Sequence, residues 1–147
     1  MSNRNPLPFA ITHRVRDDCV CLHAQRAARA LARRFDEALR PAGLTNGQFS
    51  LLMSLNRPQP PGIGSVSALL AMDRTTLTAA LKPLARRRLL KVAVGKADRR
   101  ARLLVLTPAG RSLLAAALPL WKKAHAEVER LLPHSADTLR AGLRALC

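Results

Sequence analysis

Three groups of side chains in this sequence have the types and spacing to do chemistry. At roughly 100° per residue, Thr75, Thr78, Ala79, Lys82 and Arg86 fall on one arc of a helix, with Arg74 near its amino end and Leu77, Ala80, Leu81 and Leu84 opposite. The arc holds no carboxylate. Short hydroxyls flanked by long cations bond base edges and phosphates in a major groove; a solvated amphipathic helix is the alternative. The second group is the segment GKADRRA, where Lys96, Arg99, Arg100 and Arg102 crowd cations into a turn that Gly95 permits. Such a tip repels itself unless an anion lies nearby, and a phosphate backbone or a narrow minor groove is its complement. Asp98 is expected to pair with a neighbouring arginine, Arg100, and fix the tip's shape; a plain surface salt bridge would contribute only ~0 to 1 kcal/mol. The third group is thiols and imidazoles. Cys19 and His23, four apart, share a helix face and could form a thiol–imidazole pair or half a metal site, or simply pack. Cys19 and Cys21, two apart on a helix, point to nearly opposite sides and do not bridge.

Nothing else suggests catalysis. His13, His125 and His134 belong to no ligand spacing and read as surface or helix-end groups, and Cys147 is expected to be exposed. There is no glycine-rich phosphate loop, nucleophile elbow or cysteine pair of zinc-finger spacing, so neither enzyme, metal nor cofactor is expected.

The elements that must position these groups can be read outward from them. Ile63, Val66, Leu69 and Leu70 give a short helix, Ala71 and Met72 a tight corner, and Asp73 a cap for the next helix. Pro83 lies inside that second helix, where proline costs ~3 kcal/mol or more. Because Leu84 keeps the apolar stripe in phase, a bent but continuous helix is expected; a break at Lys82 would remove Arg86 from the arc. Leu90 to Val94 and Arg102 to Thr107 read as a two-strand hairpin around the basic tip. This order, two short helices and a basic hairpin, is that of a winged helix-turn-helix.

On either side lie more helices. Met1 to Thr12, with Pro6 and Pro8, reads as an irregular arm whose Phe9 and Ile11 could pack on a partner. A long helix is expected from about Arg16 to Leu39, ended by Pro41 and Gly43, then one capped by Thr45 and finishing near Asn56. RPQPPGIG is a connecting loop. Thr107 and Pro108 start a helix whose seam is Leu114, Ala117, Trp121, Ala124, Val128 and Leu131; it should bend at Pro119 and run to Leu132, ~37 Å. Ser135 caps a last helix with the stripe Leu139, Leu143 and Leu146.

The 147 residues are one domain's length, and 48% hydrophobic with 3% aromatic and no tyrosine means a core of Leu, Ala and Val, which suits helices. Lys and Arg number 25 against 9 acids, a net charge of +16, which calls for a polyanion or an anionic surface unless it reflects arginine-rich codon usage. No apolar run approaches ~20 residues and the start lacks a signal peptide's apolar stretch, so a cytoplasmic protein with reduced thiols and no membrane partner is expected.

DRTTL at Asp73 to Leu77, followed by DRRARLLVLTPAG at Asp98 to Gly110, resembles the MarR family of bacterial transcriptional regulators. The resemblance implies a mainly α protein with a small β-hairpin, a winged helix-turn-helix with N- and C-terminal dimerisation helices. Residues 1–44 would be arm and dimerisation helix, 45–107 the DNA-binding region and 108–147 the C-terminal dimerisation helices. It implies Arg74, Thr75, Thr76 and Thr78 facing bases or phosphates, and Asp98 with Arg100 as a wing pair whose arginine enters the minor groove. The apolar surplus of the terminal helices, together with the likeness, points to a two-fold homodimer with recognition helices ~34 Å apart on double-stranded DNA at a pseudo-palindromic operator; the alternative is a monomer whose terminal helices pack on its own winged region. The family implies a small aromatic effector in a cleft between dimerisation helices and winged region, with Arg16, Cys19, His23 and Trp121 as candidate lining. The function so implied is a regulator, a repressor released by its effector. The alternatives are a redox-sensing regulator using Cys19, as in some family members, and a non-specific basic nucleic-acid binder.

Overall fold

A computed structural model of the chain describes residues 6–147. It divides into two compact units, residues 1–34 and residues 35–147. Among the described residues the first unit holds α1 (Phe9–Asp18) and most of α2 (Val20–Leu39), which ends in the second.

The expected irregular arm is therefore corrected from Phe9 onward. Pro6 and Pro8 precede the helix rather than interrupt it, and Pro8, at φ −61° and ψ 146°, occupies the cap, where its missing N–H is no loss. Residues 1–5 of that arm lie outside the described residues. The single long helix from about Arg16 is also corrected. Cys19 is extended, at φ −71° and ψ 106°, and separates α1 from α2. Asp17 and Asp18 account for the break: aspartate is a poor interior helix residue, unfavourable at the end of α1 and favourable ahead of the start of α2. α1 buries no side chain, and its Phe9 and Val15 are exposed.

The second unit is built on leucine. Leu39, Leu52, Val66, Leu77, Leu84 and Leu104 are fully enclosed and belong to one apolar cluster. α2 stops at Leu39 because a short turn, Arg40–Ala42, leads to Gly43 in the left-handed region at φ 67°. α3 (Asn46–Ser54) opens with a reciprocal capping box, Thr45 accepting from the Gln48 N–H while the Gln48 side chain accepts from the Thr45 N–H. Asp36 adds a bond that sequence reasoning missed: its carboxylate accepts both the backbone and side-chain N–H of Asn46 at 2.7 Å. These bonds, the backbone one first, hold the Asp36 carboxyl below the usual carboxylate range.

α4 (Ile63–Leu70) ends at Ala71, left-handed at φ 51°, and Ser67 donates to the Met72 carbonyl across the corner. Leu69, expected on the apolar side, is 61% exposed, because at 100° steps it lies away from Ile63, Val66 and Leu70. α5 (Arg74–Arg86) runs through Pro83 without a break, as expected from the phase of Leu84. β1 (Leu90–Val94) and β2 (Arg102–Leu106) pair antiparallel, with Leu90 opposite Leu106 and Val94 opposite Arg102. A further rung was not foreseen: Gly62 bridges Leu103, and the Leu104 N–H donates to the Pro61 carbonyl at 2.8 Å. The loop before α4 is thereby fastened to the hairpin.

α6 (Pro108–Glu129) is capped by Thr107, whose hydroxyl accepts from Gly110 N–H at 3.0 Å. It stops three residues short of the expected Leu132, giving 22 residues and ~33 Å, and passes through Pro119. α7 (Ala136–Arg144) is capped by Ser135 and leaves Leu139 and Leu143 exposed, as is Leu146 just beyond its end. Among the described residues no helix is long and apolar enough to cross a membrane.

Candidate nucleic-acid interface

α5 begins where Asp73 turns the chain, its carboxylate accepting both the backbone N–H and the hydroxyl of Thr76 at 2.8 and 2.6 Å. The hydroxyl, and then the N–H, hold the Asp73 carboxyl below its ordinary range, so the cap is charged and satisfied at neutral pH. Leu77, Leu81 and Leu84 anchor the inner side of the helix. Arg74, Thr75, Thr78, Lys82 and Arg86 are all exposed on the other.

The four polar groups near the start of α5 are not equivalent. The Thr76 hydroxyl is bound to Asp73, which makes it part of the cap. The Thr78 hydroxyl donates to the Arg74 carbonyl at 2.7 Å and keeps only its lone pairs for a ligand. Among the described residues the Thr75 hydroxyl and the Arg74 guanidinium have no hydrogen-bonding partner.

The hairpin tip is shaped by the backbone. The Gly95 N–H donates to the Ala101 carbonyl at 3.0 Å, and the Ala101 N–H to the Asp98 carbonyl at 3.1 Å. A Cβ at Gly95 would lie 2.6 Å from the Asp98 carbonyl oxygen, so glycine is required there. The expected ion pair between Asp98 and the Arg100 side chain is not formed. The Asp98 carboxylate instead accepts the backbone N–H of Arg100 at 2.9 Å, a turn-stabilising bond of the kind aspartate makes two residues on. Asp98 still shapes the tip, and the Arg100 guanidinium has no hydrogen-bonding or ionic partner among the described residues. Arg102 folds back, its Nη1 donating to the Arg99 carbonyl at 3.0 Å. Lys96 and Arg99 are exposed beside it.

Helix and hairpin meet at one concave surface. A cleft of about 440 Å³ is lined by Gly62 and Gly64 from the start of α4, Arg74 and Thr78 from α5, and Arg100 and Arg102 from the hairpin. Three guanidiniums and no carboxylate face it. What such a surface can do is hold phosphate and reach base edges.

The remaining candidates part company. Within the second unit Trp121 stacks on Phe49, with centroids 6.1 Å apart, and on His125, at 4.7 Å, so His125 is half-buried rather than a free surface group. Trp121 lines a cleft of about 370 Å³ with Phe49, Met53, Leu69 and Leu70, of which sequence reasoning had named only Trp121. In the first unit Arg16 pairs with Asp17 at 2.6 Å, raising the guanidinium's pKa and lowering the carboxyl's. The thiol–imidazole pair is not made: His23 Nδ1 lies 2.8 Å from the Cys19 carbonyl oxygen, while the Cys19 thiol accepts the Leu22 N–H at 3.4 Å. That alternative is not realised because Cys19 lies outside the helix, so the four-residue spacing no longer puts the two side chains side by side; the opposed directions expected for Cys19 and Cys21 lose their basis for the same reason. Cys147 is exposed, as expected. Among the described residues no cluster of three or more His, Cys, Asp or Glu could hold a metal ion.

No family model and no curated protein matches this sequence. Solved structures do. The transcriptional regulator MosR of M. tuberculosis, crystallised in complex with DNA, is 36% identical over 88% of this chain and 93% of its own, with a TM-score of 0.80. BpsR of Bordetella bronchiseptica, whose DNA binding is regulated by 6-hydroxynicotinic acid, is 27% identical over 88% of this chain and 93% of its own, with a TM-score of 0.79. A mutant MarR of E. coli complexed with operator DNA shares the fold at 21% identity, with 90% and 96% covered and a TM-score of 0.80. The identity to MosR over most of both chains, together with the fold shared with MarR-family structures, places the chain: it belongs to the MarR family of transcriptional regulators.

Proposed function

We propose that the protein is a homodimeric, sequence-specific DNA-binding regulator, a repressor that a small aromatic effector releases. The single observation that carries this is the cleft in which Arg74 and Thr78 of α5 face Arg100 and Arg102 of the hairpin with no carboxylate between them. α5 lies in the major groove and the hairpin beside the adjacent minor groove, so that Arg74, Thr75, Thr78, Lys82 and Arg86 serve the first and Lys96, Arg99 and Arg100 the second. Thr76 and Asp98 act by shaping those elements.

In this reading residues 45–107 form the DNA-binding region, while residues 1–44 and 108–147 supply dimerisation helices. Support comes from apolar side chains left in water at both ends: Phe9 at 71% exposed in the first unit, and Leu143 at 46% and Leu146 at 67% in the second. A second copy covering them would set two α5 helices ~34 Å apart on a pseudo-palindromic operator. The effector site is the apolar cleft beside Trp121, which touches α3 and the end of α4 and thus the base of the helix-turn-helix. Catalysis has no part in this function, and its place is the cytoplasm.

The test is selection of bound fragments from the host genome, then competition between a selected fragment and unrelated DNA at rising salt. A specific complex keeps its preference as total affinity falls; a non-specific basic binder loses it. Because Trp121 is the only tryptophan, its fluorescence reports a ligand in the apolar cleft directly, with 6-hydroxynicotinic acid as the first probe.

A second reading, in which oxidation of Cys19 is the input, is favoured by the place of its sulfur at the start of α2, where it accepts the Leu22 N–H at 3.4 Å. Peroxide would then release DNA from the wild type and not from Cys19→Ser.

A further inference from the structure

Resting on the DNA-binding reading above, we propose that the cleft between α4, α5 and the hairpin is a clamp for one backbone phosphodiester per half-site, the one on the strand that separates the major groove from the minor. Four observations lead to it. Three guanidiniums line the cleft without a carboxylate, so they repel one another until an anion enters. Arg102 is fixed to the hairpin tip through its Nη1, whereas Arg74 and Arg100 carry no hydrogen-bonding or ionic partner among the described residues. A glycine keeps the mouth open: a Cβ on Gly64 would come within 3.1 Å of Arg74 Nη2, tighter than ordinary contact. The walls are held at a set distance, because Gly62 bridges Leu103 and Pro61 accepts the Leu104 N–H.

The position of the cleft selects the ligand. If α5 occupies a major groove and the hairpin the neighbouring minor groove, the sugar–phosphate strand between those grooves has to cross the gap between the two elements. That gap is the cleft. A clamp with spacing set before binding loses little freedom on closing, and charge-assisted bonds from two planar guanidiniums suit a phosphodiester. Gly62 and Gly64, which carry no side chain to contact DNA, thereby become residues of the interface.

The experiment uses the full-length protein and a selected operator in which one phosphate at a time is replaced by a neutral methylphosphonate. The expected profile has one position per half-site at which affinity falls at least tenfold more than at its neighbours. In an Arg74→Gln, Arg100→Gln double variant that position becomes no more sensitive than the rest. Gly64→Val, whose helix content and melting are checked against the wild type, reproduces the loss by filling the cleft. A flat profile on DNA that is still bound specifically overturns the clamp and leaves the regulator intact. A sensitive position that persists in the double variant overturns it too, and absence of any specific DNA binding overturns both. Displacement of DNA by inorganic phosphate beyond that by chloride at equal ionic strength would mark a site for a free phosphate and overturn the backbone assignment.

Discussion

Gly110→Ala is expected to destabilise the protein by about 3 kcal/mol, although the same change in most helices is favourable. The new Cβ would lie 2.1 Å from the Leu89 carbonyl oxygen and 2.8 Å from Leu106 Cδ1. Leu106 can shift, but the Leu89 carbonyl is held by the Thr107 N–H at 3.1 Å and shares the Thr107 hydroxyl, at 3.0 Å, with the Arg88 carbonyl at 2.7 Å, contacts that tie the junction of β2 and α6 to the residues just before β1. Overpacking by one methyl in a closed site costs roughly 2 kcal/mol. Turning the carbonyl away sacrifices the Thr107 N–H bond and leaves the carbonyl without a full partner, together roughly 2 kcal/mol. Replacing glycine by alanine within a helix returns about 1 kcal/mol, which leaves the stated 3. Urea unfolding at matched protein concentration reads it: with a slope of roughly 2 kcal/mol/M the midpoint falls by about 1.5 M. Gly47→Ala is the control, since a Cβ there meets nothing within 4 Å, and should raise the midpoint slightly. A Gly110→Ala midpoint within about 0.3 M of the wild type would refute the account of how the hairpin docks on α6.

Further outcomes follow from other residues. Ala71→Gly relieves a left-handed alanine at φ 51° in the helix-turn-helix corner and should raise stability by up to about 1 kcal/mol, read by thermal melting, with DNA affinity unchanged. Asp36→Asn removes a charge whose folded pKa is depressed; the wild type's advantage over the variant is complete above the ordinary carboxyl value of 3.8 and is lost as pH falls through the folded one, so the two midpoints should converge on acidification. Arg99→Ala should lower the slope of log affinity against log salt by about 0.9 if it meets a phosphate, whereas Thr75→Val should leave that slope alone and relax preference at a single base pair. Equal effects of the two variants on the slope would contradict the division of roles along the interface.

What the sequence made legible was whatever depends on local pattern. Asp73, Thr107 and Ser135 cap the helices they were expected to cap, and α5 survives Pro83 because Leu77, Leu81 and Leu84 bury its inner side. The basic hairpin lies where its β-branched and leucine runs put it. What stayed hidden depends on pairing across distance or on one backbone angle. The rung between Gly62 and Leu103 joins residues with no shared period. The break at Cys19 turns on one ψ angle, and it undid two inferences that assumed helical geometry there. Asp98 was matched to the right residue and the wrong atom, since charge suggested the guanidinium while the turn offered the closer backbone N–H.

The charge of the chain makes affinity easy and discrimination hard. A net charge of +16 attracts any duplex, and every phosphate contact adds a salt-dependent increment indifferent to sequence. Discrimination has to come from groups that reach bases. On α5 the Thr76 hydroxyl is tied to Asp73 and that of Thr78 donates to the Arg74 carbonyl, so few side chains in one copy have donors free for a base edge. With a mismatch costing only about 1 to 3 kcal/mol, one such helix separates its site from a near relative by roughly ten- to a hundredfold. Two copies at a fixed separation add their free energies and multiply that ratio. On the proposed reading, spacing between the two helices, more than any single base contact, is the quantity that sets specificity, and a ligand in the cleft lined by Trp121 and the end of α4 would act where a small displacement changes it.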